Sequence, residues 1–323
     1  MKKTTIKDIA KKAGVSCVTV SKVINDGGNI SFKTAHRIKN IIKKTGYIPS
    51  PWAVNLVRGR TNTVAVVAPG LSRGFPSEVF EGIQGVLNKS KMFMSVFSTG
   101  ASGKGEKNTY DRIINGKMAD VAIVLSNCPD DMVIKKFNRY KIGLVLIESK
   151  KKGAYSVKVD NVAGAEKAVR YLLSKKKKNI GVVIGDVKNI ESQRERMRGY
   201  KKALKNYGIP FKKELVYVAK QHLYEDGVKA AEVFKKIKAD AVFSAAGDYV
   251  AYGILEGVGN RNINVVGYDD LKTSSLMGLT TIRQPMADMG AAAFKMAEAF
   301  IEGENSKIED IIYDPELIIR KSA

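Results

Sequence analysis

Cys17, Val18, Ser21 and Lys22 have the types and spacing that most directly suggest a chemistry, and it is the chemistry of contact, not of bond making. They lie in TTIKDIAKKAGVSCVTVSKVIN, residues 4–25. Val20, Val23 and Ile24 recur there at helical spacing and predict a buried face, which leaves the four residues pointing outward. A short helix with a small polar outer face, set at a steep angle to the helix before it, is the geometry that enters a DNA major groove.

The groups that usually carry catalysis are scarce. Only two histidines, His36 and His222, and two cysteines, Cys17 and Cys128, occur in 323 residues. His36 belongs to the basic N-terminal region, so a Ser-His-Asp site would rest on His222 alone. The cysteines are far apart and suggest neither a disulfide framework nor a zinc cluster. No Gly-x-Gly-x-x-Gly follows the first apolar strand, and STGASGKG lacks the leading Gly of a phosphate-binding loop, with Lys104 not followed by Ser or Thr. Site chemistry therefore argues against an enzyme, and no cofactor or metal is expected.

The elements that must position the outer face can be read locally. Ile6, Ile9, Ala10 and Ala13 form one helical stripe, and Thr5 with Asp8 has the form of a capping box. Gly14 breaks this helix and Ser16 can cap the next. Ser31 caps a third helix predicted over 32–44, whose Ala35, Ile38, Ile41 and Ile42 face the first two, and Gly46 ends it. Beyond it, Ser50 and Pro51 can open one short helix running to about Val57. Such a helix is too short to hold in water and is expected to order only when docked.

Charge agrees with an anionic partner. Residues 1–60 hold thirteen Lys and Arg against two Asp, whereas the remaining 263 residues carry 42 against 30. A dense basic domain suits the phosphate backbone, where affinity comes from counterion release. Runs such as Lys175–Lys178 read as solvated turns. The chain starts MKKTT with no apolar signal core, and no apolar run is long enough for a bilayer, so a cytoplasmic protein without membrane association is expected.

From Thr61 the texture changes to β-branched runs alternating with amphipathic stretches. Strands are predicted at Val64–Ala68, Phe93–Phe97, Val121–Leu125 and Gly143–Ile147, with a helix near Ser77–Asn88. A second series begins near Val159, with strands at Ile180–Ile184, Val216–Ala219, Ala241–Ala245 and Asn264–Tyr268. Two such series predict two similar α/β lobes built on parallel sheets, with ligands bound at the carboxyl ends of strands.

With these motifs in order, the chain resembles the lac repressor (LacI/GalR) family of bacterial transcription regulators over its whole length. The resemblance is carried by TIKDIAKKAGVSCVTVSKVIN, GYIPSPWAVNLVRGRTNTVAVV, VDNVAGAEKAVRYLL, RERMRGYKKAL, VVGYDDL, LTTIRQP and PELIIRKSA. It implies a helix-turn-helix headpiece (1–46), a hinge helix (47–60) and a periplasmic-binding-protein-like core (61–323). Lobe 1 of that core would take about 61–159 and 286–312, and lobe 2 about 160–285 and 313–323. A dimer on a near-palindromic operator would follow, because two-fold protein symmetry asks for two half-sites.

By the same resemblance, contacts to double-stranded DNA come from Thr5, Ser16, Cys17, Val18, Thr19, Ser21, Lys22 and Asn25, with Leu56 wedging into the minor groove. Lys22 replaces the family's usual Arg, and a point charge grips guanine less specifically than a fork. Cys17 and Val18 offer apolar contact to thymine methyls. In the hinge, Ser50 replaces the usual Asn and Val54 the usual Arg, and Trp52 sits in the same segment. Ligand contacts are implied at Phe75, Glu148, Ser192, Arg196, Asp269 and Gln284. Carboxylates with one Arg suit a polyhydroxylated, carbohydrate-like effector, since each carboxylate can accept from two hydroxyls. Glu148 stands in place of the usual Asp and Gly247 in place of a frequent amide donor, while Arg73 could favour an anion. The expected function is a repressor controlled by a small molecule. A global carbon-control regulator with a protein corepressor, a nucleobase-responsive repressor and a solute-binding protein without DNA binding are the alternatives.

Overall fold

The expected capping box at Thr5 is formed. In the computed structural model the Thr5 N–H and hydroxyl both donate to Asp8 Oδ2, at 2.9 and 2.8 Å, and open α1 (Ile6–Ala13). Residues 4–24, 29–47, 60–70, 74–100, 105–259 and 262–323 are described. Asn25, Arg73 and hinge residues 48–59, which include Ser50, Trp52, Val54 and Leu56, lie outside them. Gly14 ends α1 in the left-handed conformation that favours glycine. Ser16 Oγ then accepts the Thr19 N–H at 3.1 Å and starts α2 (Cys17–Ile24). Ser31 caps α3 (Phe32–Thr45) in the same way, and Gly46 ends it. Ile9, Ala10, Ala13, Val20, Val23 and Ile38 are the buried centre of this three-helix unit, which separates from the rest of the chain after Thr61.

The second unit, residues 62–323, contains two six-stranded sheets. The first holds β1 (Thr63–Ala68), β2 (Phe93–Ser98), β3 (Val121–Leu125), β4 (Gly143–Ile147), β5 (Tyr155–Val159) and β11 (Ile311–Tyr313) in the order β11-β5-β4-β3-β1-β2, all parallel. Its helices are α4 (Phe75–Leu87), α5 (Glu106–Asn115), α6 (Asp131–Arg139) and α12 (Met286–Glu302). The second holds β6 (Ile180–Ile184), β7 (Val216–Val218), β8 (Ala241–Ser244), β9 (Asn264–Asp269), β10 (Thr280–Arg283) and β12 (Glu316–Ile318) in the order β12-β10-β9-β8-β6-β7, with only β12 antiparallel. Its helices are α7 (Asn161–Ser174), α8 (Glu191–Asn206), α9 (Tyr224–Lys236), α10 (Asp248–Val258) and α11 (Lys272–Leu276). The chain passes between the two lobes after β5, after β10 and after β11.

The central strands β1, β3 and β4 are buried along their whole length, as continuous β-branched runs require when helices cover both sheet faces. α4 opens at Phe75, two residues earlier than the predicted start near Ser77, because Pro76 is compatible with a first helical turn.

α4 and α12 cross at the distance of backbone contact. A methyl on Gly82 would drive into the Ala287 carbonyl, and one on Gly290 into that of Val79. Gly82→Ala is therefore expected to destabilise the core by roughly 1–3 kcal/mol, since packed helices must separate to admit it. A denaturant titration of the full chain, read at the midpoint with unchanged slope, measures this.

Candidate functional site

On the helical unit, the hydroxyls near the expected DNA face have local duties. Thr5 is bonded to Asp8, and Ser16 lies 2.9 Å from the Thr19 hydroxyl. Val18 is 64 % exposed and Lys22 is exposed, while Ser21 is half-buried. Cys17 departs from expectation. It is half-buried and packs on the headpiece core, because it precedes Val20 by three residues and Ile24 by seven and so shares their stripe. The outward face is thus Val18, Ser21 and Lys22, amid exposed Lys7, Lys11, Lys12, Lys33, Arg37, Lys39, Lys43 and Lys44.

The second cluster lies at the carboxyl ends of the strands of lobe 2. The strand order reverses between β6 and β8, and such a switch opens a crevice beyond the strand ends. Gln193 bridges this crevice, accepting the Gly185 N–H at 2.8 Å and donating to the Ala245 carbonyl at 3.3 Å. Arg196, one turn along α8, is 5 % exposed and reaches the same Ala245 carbonyl at 2.9 Å. Its Nε donates to Asn161 Oδ1 at 2.8 Å, and its guanidinium lies 3.7 Å from the centroid of the Tyr268 ring. Cation and ring are both dry, which strengthens the attraction between them.

Glu148 comes to this arginine from lobe 1. It follows β4, is 2 % exposed, and accepts the Val159 N–H at 3.0 Å and the Asn161 amide at 2.8 Å, with Arg196 3.6 Å away. Burial pushes its carboxyl above the usual range, against the opposing pull of Arg196 and the two hydrogen bonds. Both carboxylate oxygens are occupied, so Glu148 orients Arg196 and Asn161 in the structure described.

Asp269 ends β9 with φ 131°, backbone that few non-glycine residues adopt. Its Oδ1 accepts from the Gln284 amide at 2.7 Å. Burial drives its carboxyl up to about 7, with Arg196 pulling down and Asp248 pushing further up. Gln284 Oε1 is buried without a hydrogen-bond partner among the described residues. Gly247 passes so close that a Cβ there would lie 2.9 Å from Asp269 Oδ2, and no side chain fits between them. Behind this wall Asp248 is fully buried and takes Leu271 N–H, Ser274 and Thr281 at 3.0, 2.6 and 2.7 Å, fastening α10 to β10 and α11.

Arg196 with Glu148 and Asp269 with Gln284 thus form two bonded pairs, and the charge of Arg196 acts on Asp269. Ser192 is buried and shares the Arg196 face of α8, four residues earlier. Phe75 is outside this bonded set. It is half-buried on the lobe 1 core with Tyr249, whose ring also packs against Gly74 and the core of lobe 2. Sequence reasoning missed Asn161, Gln193 and Tyr268. It weighed His222 only as a catalytic base. His222 sits against Gly185 with Nδ1 3.1 Å from the Ala246 carbonyl, and burial lowers its pKa. A lone histidine in a loop was the available signal.

Comparison with known proteins gives the family and the fold. Residues 5–50 match the model of bacterial regulatory proteins, lacI family, and residues 169–323 that of a periplasmic binding protein-like domain. The HTH-type transcriptional regulator DegA of Bacillus subtilis (strain 168) is 30 % identical, with 99 % of this chain and 98 % of that protein covered. Among solved structures, a complex of the transcriptional regulator CelR with cellobiose is 26 % identical at a TM-score of 0.72, covering 99 % of this chain and all of that one. The lac repressor dimer bound to operator and anti-inducer shares the fold at a TM-score of 0.83 and 21 % identity, with 99 % of each chain covered.

Proposed function

The chain belongs to the lacI family of bacterial regulatory proteins and is a DNA-binding transcriptional regulator, and from that we propose that it is a repressor whose grip on DNA is set by a small polyhydroxylated effector held between the two lobes. The observation that carries the effector reading is Arg196. A buried guanidinium 3.7 Å from the centroid of the Tyr268 ring, steadied by Glu148 and acting on the Asp269–Gln284 pair, offers the forked donor and carboxylate acceptor that a sugar's hydroxyls pair with. The likeness to a regulator in complex with cellobiose supports a carbohydrate-like ligand.

The DNA side of the reading is a homodimer on a near-palindromic operator, with headpiece 1–46, hinge 47–60 and core 61–323. Each headpiece presents Val18, Ser21 and Lys22 to base edges, with Thr5, Ser16, Cys17, Thr19, Asn25 and the hinge Leu56 as further contacts. Its exposed lysines supply the phosphate attraction. No described helix is long and apolar enough to cross a membrane. A partner that is genomic DNA sets the site of action in the cytoplasm. Lys22→Arg is expected to sharpen base preference at one position of each half-site by about 1–3 kcal/mol, read by selecting bound sequences from a random duplex pool.

A ligand acts only through a difference in affinity between the DNA-competent and incompetent states. Thermal shift against sugars, phosphorylated sugars, sugar acids and nucleobases tests the effector reading. A compound at about one hundred times its dissociation constant adds about 2.7 kcal/mol. The expected result is one class of compound that shifts the parent, shifts Asp269→Asn less, and leaves Arg196→Met unmoved. A shift undiminished in Asp269→Asn and Ser192→Ala moves the ligand elsewhere, and a flat panel removes the common metabolites.

A further inference from the structure

Helix α8 joins the lobes by two faces. Ser192 and Arg196, four residues apart, belong to the cleft cluster, while Glu191 and Glu195, also four apart, meet a lysine from lobe 1. That lysine is Lys158 of β5, 6 % exposed between the buried Val157 and Val159. Its Nζ lies 2.9 Å from Glu191 Oε1 and 2.9 Å from Glu195 Oε1, and the Lys150 N–H donates to Glu191 Oε2 at 3.2 Å. Burial alone would lower the Lys158 pKa, but the two carboxylates outweigh it and hold the ammonium above its ordinary range. Lobe 1 therefore grips one short stretch of α8 twice, through Lys158 on Glu191 and Glu195 and through Glu148 on Arg196. Among the described residues the other inter-lobe ionic tie centres on the exposed Lys272 of α11, which lies 2.6 Å from the exposed Glu81 and 3.9 Å from Glu78, both of α4. Salt screens that tie and leaves the buried one nearly untouched.

We propose that Lys158 is a positioning residue for the cleft: its hold on Glu191 and Glu195 fixes where α8, and with it Arg196, stands against Glu148, and so couples occupation of the cleft to the arrangement of the lobes. The hold follows from geometry alone, whereas its regulatory consequence rests on the effector reading above. A ligand that draws Arg196 toward itself works against Lys158. A chain without that lysine gives up Arg196 at less cost.

The test needs neither effector nor DNA. Phenylglyoxal labels accessible arginines, and mass spectrometry of the full chain reads Arg196 beside the exposed Arg112 and Arg139 as internal standards. Lys158→Met is expected to raise the labelling rate of Arg196 by about tenfold relative to Arg112 and Arg139, through local opening of α8. Lys158→Arg is expected to restore the parent rate. Glu191→Gln with Glu195→Gln, which keeps the lysine, is expected to reproduce the rise, and the parent rate is expected to hold at about 1 M salt. Hydrogen exchange of β3 is followed in parallel and should not change. Unchanged labelling of Arg196 in both carboxylate and lysine variants overturns the proposal. So does a rise that Lys158→Arg leaves in place, or one matched by lost protection in β3, which is general loosening. Should labelling behave as expected while the metabolite panel stays flat, the positioning role stands and the effector reading falls.

Discussion

Arg196→Met is expected to lower the stability of the core by about 3–5 kcal/mol and to abolish effector binding at the same time. The two losses have one cause. Arg196 is the cation facing Glu148, and both side chains are nearly excluded from water. Without the guanidinium, Glu148 keeps the Val159 N–H and the Asn161 amide but stays buried as an uncompensated charge. Its carboxyl, already raised by burial, loses the opposing pull of Arg196 and rises further. A raised carboxyl is protonated in the folded chain where the unfolded chain has released its proton, so stability falls as pH rises from the unfolded carboxylate value through the folded one. Arg196→Met should therefore be least damaging near pH 4 and more so toward neutrality. The double variant Arg196→Met with Glu148→Gln is expected to recover much of the stability, because the stranded charge is gone, and none of the binding. Urea titrations of the four chains, at several pH values, separate the outcomes. Equal stability loss at every pH, or additive losses in the double variant, would refute the coupling.

What was legible in the chain follows from the range of the interactions. Thr5 with Asp8, Ser16 with Thr19, and the glycines at 14 and 46 are contacts within three or four residues, and local spacing carries them. The central strands were legible because β1, β3, β4 and β6 are buried on both faces and so read as unbroken apolar runs, whereas β5, β10, β11 and β12 were not read as strands. Cys17 shows the limit of a pattern only eight residues long, where one half-buried position at the edge of the apolar stripe is easily assigned to the wrong side. The cleft was legible as candidate residue types, through resemblance, but not as a network. Asn161 meets Arg196 from 35 positions away, Gln193 meets Ala245 from 52, and Lys158 meets Glu195 from 37. No spacing rule links such pairs, since only the strand order brings them together. For the same reason the sequence could not tell that Glu148 spends its oxygens on its own chain.

Asp269 is expected to make both stability and effector affinity pH-dependent across the neutral range, and Asp269→Asn to flatten both. Its carboxyl is pushed up to about 7 from the model-compound value of 3.8, first by burial and then by the neighbouring Asp248, with Arg196 and the Gln284 hydrogen bond opposing. The unfolded chain releases this proton near 4 and the folded chain only near 7. On this group's account stability is therefore highest below pH 4, falls between pH 4 and pH 7, and is level above, with a total drop on the order of 4 kcal/mol. The groups that face it are Arg196 and Gln284, with Asp248 behind, so no other cation competes for the assignment among its named partners. Binding runs in the opposite direction. A ligand hydroxyl donates to an ionised carboxylate more strongly than to a protonated one, so affinity is expected to rise about tenfold from pH 6 to pH 8. Asparagine keeps one acceptor for Gln284 and tolerates positive φ better than most residues, so Asp269→Asn removes the titration with little strain on the turn. Calorimetric binding and thermal melts over pH 5 to 9 on both chains decide the matter. If Asp269→Asn retains the parent's pH profile, the titrating group is elsewhere, and if the parent is flat, Asp269 is ionised throughout and its burial is relieved by a group not on this wall.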